Sequence, residues 1–249
     1  MALHPLATGF ANAADAYERG RPEYVPAVVG ALAAELGVVA GDPVLDLAAG
    51  TGKLTRALVA FGLDVVAVEP QPQLREALVV SVGEEHVRDG LAEAIPLPDG
   101  AVAAVTVADA FHWFDHAAAL AEIRRVLRPG GGLAVLTTSP EWDAPWAHDV
   151  GVLLSGLRPS HPGHDGPSWR DSVRAAGGWS APREVRVRAM QPSSRAQVVD
   201  YIASISWIAS LPQEQRAETL AQVDAIVAAA GETPAELPVQ ATIGLTTLV

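Results

Sequence analysis

The chain has no cysteine among its 249 residues. That absence excludes disulfide bonds, thiolate chemistry and zinc sites built from cysteine. Aromatic residues are also scarce, at 5%, whereas hydrophobic residues together make up 49% of the sequence. We therefore expect an interior of small and branched aliphatic side chains, which suits helices that pack on a parallel sheet. A chain of this length can form one sizeable α/β domain without a second core.

Long apolar segments are missing as well. No apolar run approaches the roughly 20 residues that a helix spanning a bilayer needs, and the candidate segment from Ala101 to Ala108 is far shorter. The N-terminus lacks a basic segment followed by an apolar one, which is the pattern of an export signal. We therefore expect a cytoplasmic protein with no membrane partner.

Positive charge is scarce relative to negative charge. There are 17 lysine and arginine residues against 29 aspartate and glutamate residues, and the formal net charge is -12. A field of this sign repels polyanions and slows their approach, so we expect no nucleic-acid partner. We expect instead a small-molecule substrate and a protein that is a monomer or a homodimer.

Two histidines lie close together in His161-Pro162-Gly163-His164-Asp165 and form a candidate metal site. The proline and glycine between them predict a loop, in which no helix holds both imidazoles on one face. We therefore predict that the chain binds no metal.

From residue 43 onward, short apolar strands alternate with amphipathic helices, which is the pattern of a parallel sheet with helices on both faces. Asp115 is a predicted helix cap, Arg128 to Gly132 a predicted turn, and Ser194 the predicted cap of a helix that continues through Ser210. Strands are predicted at residues 44–48, 63–69, 85–89, 101–108, 133–138, 184–190 and 239–249.

The most informative stretch is Val44-Leu45-Asp46-Leu47-Ala48-Ala49-Gly50-Thr51-Gly52-Lys53-Leu54, in which a strand reaches a carboxylate and turns through two glycines into a helix. A P-loop would need glycine at Leu47 and serine or threonine at Leu54, so both ends of that motif fail. A dinucleotide fold would place pyrophosphate at the start of the helix, where Asp46 would repel it. Neither phosphate-bearing ligand suits this turn.

A positively charged nucleoside without phosphate removes the conflict. S-adenosylmethionine carries a sulfonium and an ammonium group, and both favour a nearby carboxylate such as Asp46. Gly50 and Gly52 have no Cβ, so the backbone can come close to a ligand there. Glu69 ends the second predicted strand 17 residues after Gly52, where a carboxylate can accept both ribose hydroxyls of an adenosine. The sequence therefore favours S-adenosylmethionine as the cofactor.

These segments resemble the first two motifs of the class I S-adenosylmethionine-dependent methyltransferase family. The resemblance rests on Val44 to Leu54 and on Val68-Glu69-Pro70, and it continues in Gly90 to Asp99, which is similar to the family's loop around adenine, and in Leu127-Arg128-Pro129-Gly130-Gly131. It implies an α/β fold: a Rossmann-like, doubly wound, mostly parallel seven-stranded sheet with one antiparallel edge strand and a helical lid. Phe111-His112-Trp113-Phe114 and the segment from Tyr17 to Tyr24 resemble a subgroup that methylates small molecules.

Two positions depart from the family's pattern. Ala48 stands where the family often has its first glycine, and Leu91 replaces the frequent acidic residue directed at the adenine amine. We therefore expect that recognition of the adenine amine falls to the backbone or to Glu93.

The resemblance also implies a set of site residues. His112 would lie beside the donor and act as a general base, or would contact donor or substrate without moving a proton. Arg21 would grip the donor's carboxylate, the alternative being a surface arginine stacked on tyrosine. The predicted cofactor-binding residues are Tyr17, Arg21, Asp46, Ala48, Gly50, Gly52, Glu69, Pro70, Gln71, Leu91, Ala92, Glu93, Ala108 and Phe111.

The expected organisation is one methyltransferase domain over residues 1–249. Residues 1–40 would form a helical lid, residues 41–140 the donor-binding core, and residues 141–249 a substrate and lid region with the last two strands. The expected reaction is methyl transfer to a small organic metabolite, with S-adenosylhomocysteine as the product. The alternatives are a cyclisation or elimination that keeps the donor as a structural cofactor, or a non-catalytic partner that binds it.

Overall fold

The computed structural model of the protein describes residues 13–157, 165–231 and 233–249. Its helices and strands, in chain order, are α1 (Ala14–Gly20), α2 (Pro26–Leu36), β1 (Pro43–Leu47), α3 (Lys53–Phe61), β2 (Asp64–Val68), α4 (Pro72–Val82), β3 (Val87–Arg88), β4 (Val102–Ala108), α5 (His116–Val126), β5 (Leu127–Pro140), α6 (Pro145–Ser155), α7 (Trp169–Ala176), β6 (Arg183–Pro192), α8 (Arg195–Ala203), α9 (Ser206–Ala209), α10 (Gln213–Ala229) and β7 (Glu236–Thr247). Short 3-10 helices cover Glu84–His86 and Phe111–Trp113. Among the helices in these ranges, none is long and apolar enough to cross a bilayer.

The chain divides into two compact units. Of the described residues, the sheet unit comprises 23–138, 165–187 and 241–249, and the helical unit comprises 13–22, 139–157, 188–231 and 233–240. The organisation into a lid, a donor-binding core and a substrate region stays a prediction.

Seven strands of the described residues form one sheet in the order β3-β2-β1-β4-β5-β7-β6. β1 pairs in parallel with β2 and with β4, β2 pairs in parallel with β3, and β4 pairs in parallel with β5. Antiparallel strands complete the edge beyond β5, so the sheet is mixed but mostly parallel. The predicted Rossmann-like α/β architecture is confirmed.

Side chains on the two faces of the sheet belong to separate apolar clusters. On β1, Leu45 and Leu47 pack with side chains of α5, whereas Val44 packs with α2 and with Leu54 and Leu58 of α3. Successive strand residues point to opposite faces, so Asp46 points to the same side as Val44. This alternation directs the Asp46 carboxylate towards α3.

A predicted turn and a predicted helix end differ from the structure, and the third strand, expected over residues 85–89, covers only Val87–Arg88. The turn expected at Arg128 to Gly132 lies inside β5, because Leu127 already pairs with Val102 before the register shifts and Gly132 pairs with Ala104. The helix expected to reach Ser210 ends at Ala203. There the buried Ser204 hydroxyl donates to the carbonyl of Tyr201 (2.6 Å), and a second short helix, α9, follows.

The helical unit has an apolar core of its own. Trp146, Ile202 and Trp207 are buried there together with Val223 and Val227 of α10. The predicted cap of α8 is confirmed, since Ser194 Oγ accepts a hydrogen bond from the backbone N–H of Gln197 (3.2 Å).

Candidate functional site

The glycine turn connects β1 to α3 through three residues in the left-handed backbone region. The φ angles are 58° at Ala48, 60° at Gly50 and 92° at Gly52. A Cβ added at Gly50 would meet no atom within 4 Å, whereas a Cβ at Gly52 would lie 2.7 Å from Leu78 Cδ1. Gly50 therefore faces open space, whereas Gly52 combines a positive φ, which favours glycine, with close approach to α4. Ala48 adopts a positive φ despite its Cβ, which costs on the order of 1–3 kcal/mol.

Asp46 joins three elements at the start of this turn. Its carboxylate accepts a hydrogen bond from the hydroxyl of Thr55 on α3 (2.7 Å) and another from the hydroxyl of Thr106 on β4 (3.1 Å). Thr106 is the register partner of Asp46 across the β1–β4 pair. The residue is only 1% exposed. Asp46 thus fixes β1, β4 and the first turn of α3 relative to one another.

Glu69 joins the glycine turn to the segment that follows β2. Its Oε2 accepts a hydrogen bond from the backbone N–H of Gly50, and its Oε1 accepts one from the backbone N–H of Gln71, both at 2.9 Å. Arg75 of α4 donates to the carbonyls of Glu69 (2.9 Å) and Pro70 (3.1 Å). Four of the predicted residues, at positions 50, 69, 70 and 71, are therefore held together.

Burial perturbs both carboxylates of this region. It raises the pKa of Asp46 to about 6, against the opposing effect of the Thr55 and Thr106 hydrogen bonds. It raises the pKa of Glu69 to about 7, opposed by the N–H groups of Gln71 and Gly50 and assisted by the charge of Asp46. Each group is thus poised to gain or lose a proton when a ligand changes its surroundings.

The predicted adenine loop, Gly90 to Asp99, is closed on itself and attached to α5. Leu91 and Ala94 form an isolated antiparallel bridge, and Ala92 is buried in the apolar cluster on the α5 side of the sheet. Glu93 Oε1 accepts a hydrogen bond from the backbone N–H of Asp115 (2.8 Å), immediately before α5. The carboxylate of Glu93 therefore anchors the loop to the start of that helix.

The segment after β4 carries the other predicted residues of the sheet unit. Ala108 ends the strand, and Phe111 is buried, with its ring centroid 4.8 Å from that of His116. The His112 ring lies 4.6 Å from the ring of Trp113 and lines a cleft of about 690 Å³. Other residues lining this cleft are Phe114, Asp115, His116, Ala117, Gly166, Pro167, Asp171, Ser172, Ala175 and Ala176.

Tyr17 and Arg21 belong to the helical unit, where the structure places them beside one another. The Arg21 guanidinium carbon lies 5.5 Å from the ring centroid of Tyr17 and 4.6 Å from that of Tyr201. Arg21 Nε donates a hydrogen bond to Ser204 Oγ (2.8 Å). The stacking on tyrosine, which the sequence left open, is present, and contact with the donor's carboxylate stays a prediction.

Sequence reasoning missed several polar residues that build the site. Thr55 and Thr106 bind Asp46, and Arg75 holds the segment after Glu69. Asp109, at the end of β4, has a φ of 51° and accepts a hydrogen bond from Thr138 (3.5 Å). Thr106 carries a usable signal, because it is a polar residue inside an otherwise apolar strand.

The predicted absence of a metal stays a prediction. His161 to His164 lie outside the described residues, and within the described ranges there is no group of three or more His, Asp or Glu side chains arranged to hold a metal ion.

Comparison of the sequence with known proteins finds methyltransferases. Residues 45–135 match a family described as "Methyltransferase domain". An uncharacterized methyltransferase of Mycobacterium tuberculosis is 37% identical over 223 residues, which are 90% of this chain and 87% of that protein. A methyltransferase-like protein of Schizosaccharomyces pombe is 31% identical over 215 residues, which are 84% of this chain and 82% of that protein.

The fold also recurs among solved structures. A protein from Anaeromyxobacter dehalogenans, assigned as a type II methyltransferase, superimposes with a TM-score of 0.65 at 23% identity. The match covers 91% of this chain and 97% of that one. At this level of identity, the likeness concerns the fold.

Proposed function

Because the chain belongs to the class I S-adenosylmethionine-dependent methyltransferase family, we propose that it transfers a methyl group from S-adenosylmethionine to a small organic acceptor. The observation that carries the proposal is the direct hydrogen bond between Gly50 in the turn after β1 and Glu69 after β2. That bond brings a close-approach backbone and a ribose-binding carboxylate to one edge of the sheet.

The residues of this edge fit S-adenosylmethionine. A Cβ at Gly50 would enter open space, so the turn leaves room where the backbone approaches a ligand. Two buried carboxylates, Asp46 and Glu69, lie nearby and suit a cationic nucleoside without phosphate, and the buried Lys53 of the same turn is paired with Glu23. When bound, S-adenosylmethionine supplies a methyl group on a positively charged sulfur, which is a good leaving group.

Each residue then has a defined task. Glu69 accepts the ribose hydroxyls while it keeps its bonds to the backbone N–H groups of Gly50 and Gln71. Asp46 holds the glycine turn through its two threonine partners and contributes negative charge that favours the donor's cationic groups. The other residues proposed to contact S-adenosylmethionine are Ala48, Gly52, Pro70, Leu91, Ala92, Glu93, Ala108 and Phe111. Tyr17 and Arg21 are proposed to contact the donor's carboxylate.

The cleft beside His112 supports a small acceptor. Its volume of about 690 Å³ lies within the roughly 300–1,000 Å³ typical of sites for small molecules. Phe114, Pro167 and Ala175 give it apolar walls, and the described residues that line it include two aspartates and no lysine or arginine. The acceptor we propose is therefore partly apolar and carries no carboxylate or phosphate.

His112 completes the chemistry for acceptors that must lose a proton. An imidazole at the edge of the cleft can accept the proton of a phenol, whereas an amine needs no such help. Holding the acceptor in line with the methyl group and excluding water can lower the barrier by roughly 7–11 kcal/mol.

The first test is calorimetric. We expect S-adenosylmethionine to bind more tightly than NAD, and Gly50→Val to abolish donor binding because its side chain fills the open space at the turn. Tighter binding of NAD would contradict the proposal.

The second test concerns turnover. We expect S-adenosylhomocysteine to appear, by mass spectrometry, with neutral phenols or amines in preference to matched carboxylates. Donor binding without methyl transfer to any acceptor in such a series would favour a donor-binding partner or another reaction.

A further inference from the structure

An ion pair on α5 forms hydrogen bonds to the backbone of the adenine loop. Glu122 and Arg125 are three residues apart on that helix, and Arg125 donates from Nε to Glu122 Oε1 and from one terminal nitrogen to Glu122 Oε2, both at 2.7 Å. The two side chains are partly buried, at 22% and 31% exposed. The Arg125 hydrogen bond lowers the pKa of Glu122, so the pair stays charged at neutral pH.

The pair satisfies both backbone groups of Ile95, in the middle of the loop. The Ile95 N–H donates to Glu122 Oε2, and Arg125 donates to the Ile95 carbonyl, both at 2.9 Å. The other terminal nitrogen of Arg125 donates to the Leu97 carbonyl (2.8 Å) and to Asp99 Oδ1 (2.9 Å). These contacts use the five N–H groups of the guanidinium, so lysine cannot reproduce them.

The side chains of the loop explain why the position of its backbone matters for binding adenine. The apolar Leu91 offers no hydrogen bond to the adenine amine, and the carboxylate of Glu93 is bonded to the N–H of Asp115. The base is then recognised by backbone groups of the loop or by Glu93, which the loop carries, and hydrogen bonds of either kind weaken steeply when distance or angle is wrong. Whatever fixes the loop backbone also fixes the geometry with which the base is read.

We propose that Glu122 and Arg125 are positioning residues that set the backbone of the adenine loop and thereby select adenine over other purines. The inference rests on the proposed function, because it concerns the base of the same donor. Glu122 acts through Ile95, and Arg125 acts through Ile95 and Leu97.

The test compares two ligands that differ at the base. S-adenosylhomocysteine carries adenine, whereas S-inosylhomocysteine carries hypoxanthine, in which a carbonyl replaces the exocyclic amine. We expect calorimetry to show that the wild type prefers the first by roughly 10- to 100-fold. In Arg125→Lys, the preference should fall to within about threefold, and KM for the donor should rise while kcat changes little.

Arg124→Lys is the matched control. The substitution is of the same type, but it falls on a neighbouring arginine outside the loop's contacts. The Arg124 guanidinium lies 5.7 Å from the ring centroid of Trp179 and contacts the Gly177 carbonyl. We expect its preference for adenine to equal that of the wild type. Glu122→Gln, which keeps an acceptor for Ile95 but loses the charge, provides a second variant should Arg125→Lys fold poorly.

A merely structural role gives a different pattern. In that case Arg125→Lys would bind both ligands more weakly by the same factor, so the ratio of the two Kd values would not change, and its melting temperature would be lower. That result would overturn the inference. If the wild type bound neither ligand, the proposed function itself would be wrong.

Discussion

Donor binding should be coupled to deprotonation of Glu69. Burial raises the pKa of this carboxyl group to about 7 in the ligand-free protein. An ionised carboxylate can accept both ribose hydroxyls, whereas its protonated form loses acceptor capacity. If only the ionised form binds, the protonated fraction weakens the apparent affinity, so Kd at pH 5.5 should be about 30-fold higher than at pH 8.

Calorimetry with S-adenosylhomocysteine tests this directly, since that ligand does not titrate between pH 5.5 and pH 8. At pH 6.5, titrations in buffers with different ionisation enthalpies should show release of about 0.8 proton per ligand bound. Glu69→Gln should bind about 10- to 100-fold more weakly at pH 8, because it loses charge-assisted hydrogen bonds, and its Kd should change far less with pH. Gln retains an acceptor for the Gly50 N–H, which helps to preserve the turn.

Two results would refute the reasoning. A wild-type Kd that is constant from pH 5.5 to pH 8 would mean that Glu69 does not change its protonation state on binding. The same pH dependence in Glu69→Gln would assign the proton to another group, of which the buried Asp46, with a pKa of about 6, is the first candidate.

Three further outcomes follow from the structure. Burial raises the pKa of Asp46 to about 6 from 3.8, so the stability contributed by its protonated form is present below pH 4 and lost as pH rises through 6. Relative to Asp46→Asn, the wild type should lose on the order of 3 kcal/mol of unfolding free energy between pH 4 and pH 7, measured by urea unfolding. Parallel plots of unfolding free energy against pH for the two proteins would contradict this. Gly20→Ala should lower the melting temperature, because the added Cβ would lie 2.2 Å from the backbone nitrogen of Tyr201. Gly30→Ala, whose added Cβ would meet no atom within 4 Å, should instead raise the unfolding free energy by about 0.5–1 kcal/mol. His112→Asn should reduce kcat by roughly 10²–10⁴ with a phenolic acceptor at unchanged donor Kd; an equal loss with an amine would remove the role of base.

Local signals predicted the elements around the site. The Asp115 cap is confirmed, since its carboxylate accepts hydrogen bonds from the N–H groups of Ala117 and Ala118, both at 3.1 Å. The helix after the glycine turn ends at Phe61, where Gly62 has a φ of 97°. Such signals can be read from a sequence because a cap or a stop involves residues within a few positions of one another.

Signals of wider spacing were weaker. The third strand was expected over five residues and forms only at Val87–Arg88, at the edge of the sheet. β5 begins at Leu127 because that residue pairs with β4, a contact that the proline and glycines after it conceal in the sequence. Pairing with a neighbouring strand overrode the local preference for a turn in this case.

The sequence by itself determined the order of strands and helices, the glycine turn and the carboxylate that follows β2, because these depend on hydrophobic periodicity and on residues close together in the chain. Only the tertiary structure decided that Asp46 lies opposite Thr106, that Glu69 holds the N–H of Gly50, and that an ion pair on α5 grips Ile95. Those contacts join residues that are 60, 19 and 27 positions apart. They exist because strand register and helix packing place specific atoms within hydrogen-bond distance, and no local pattern in the sequence encodes that distance.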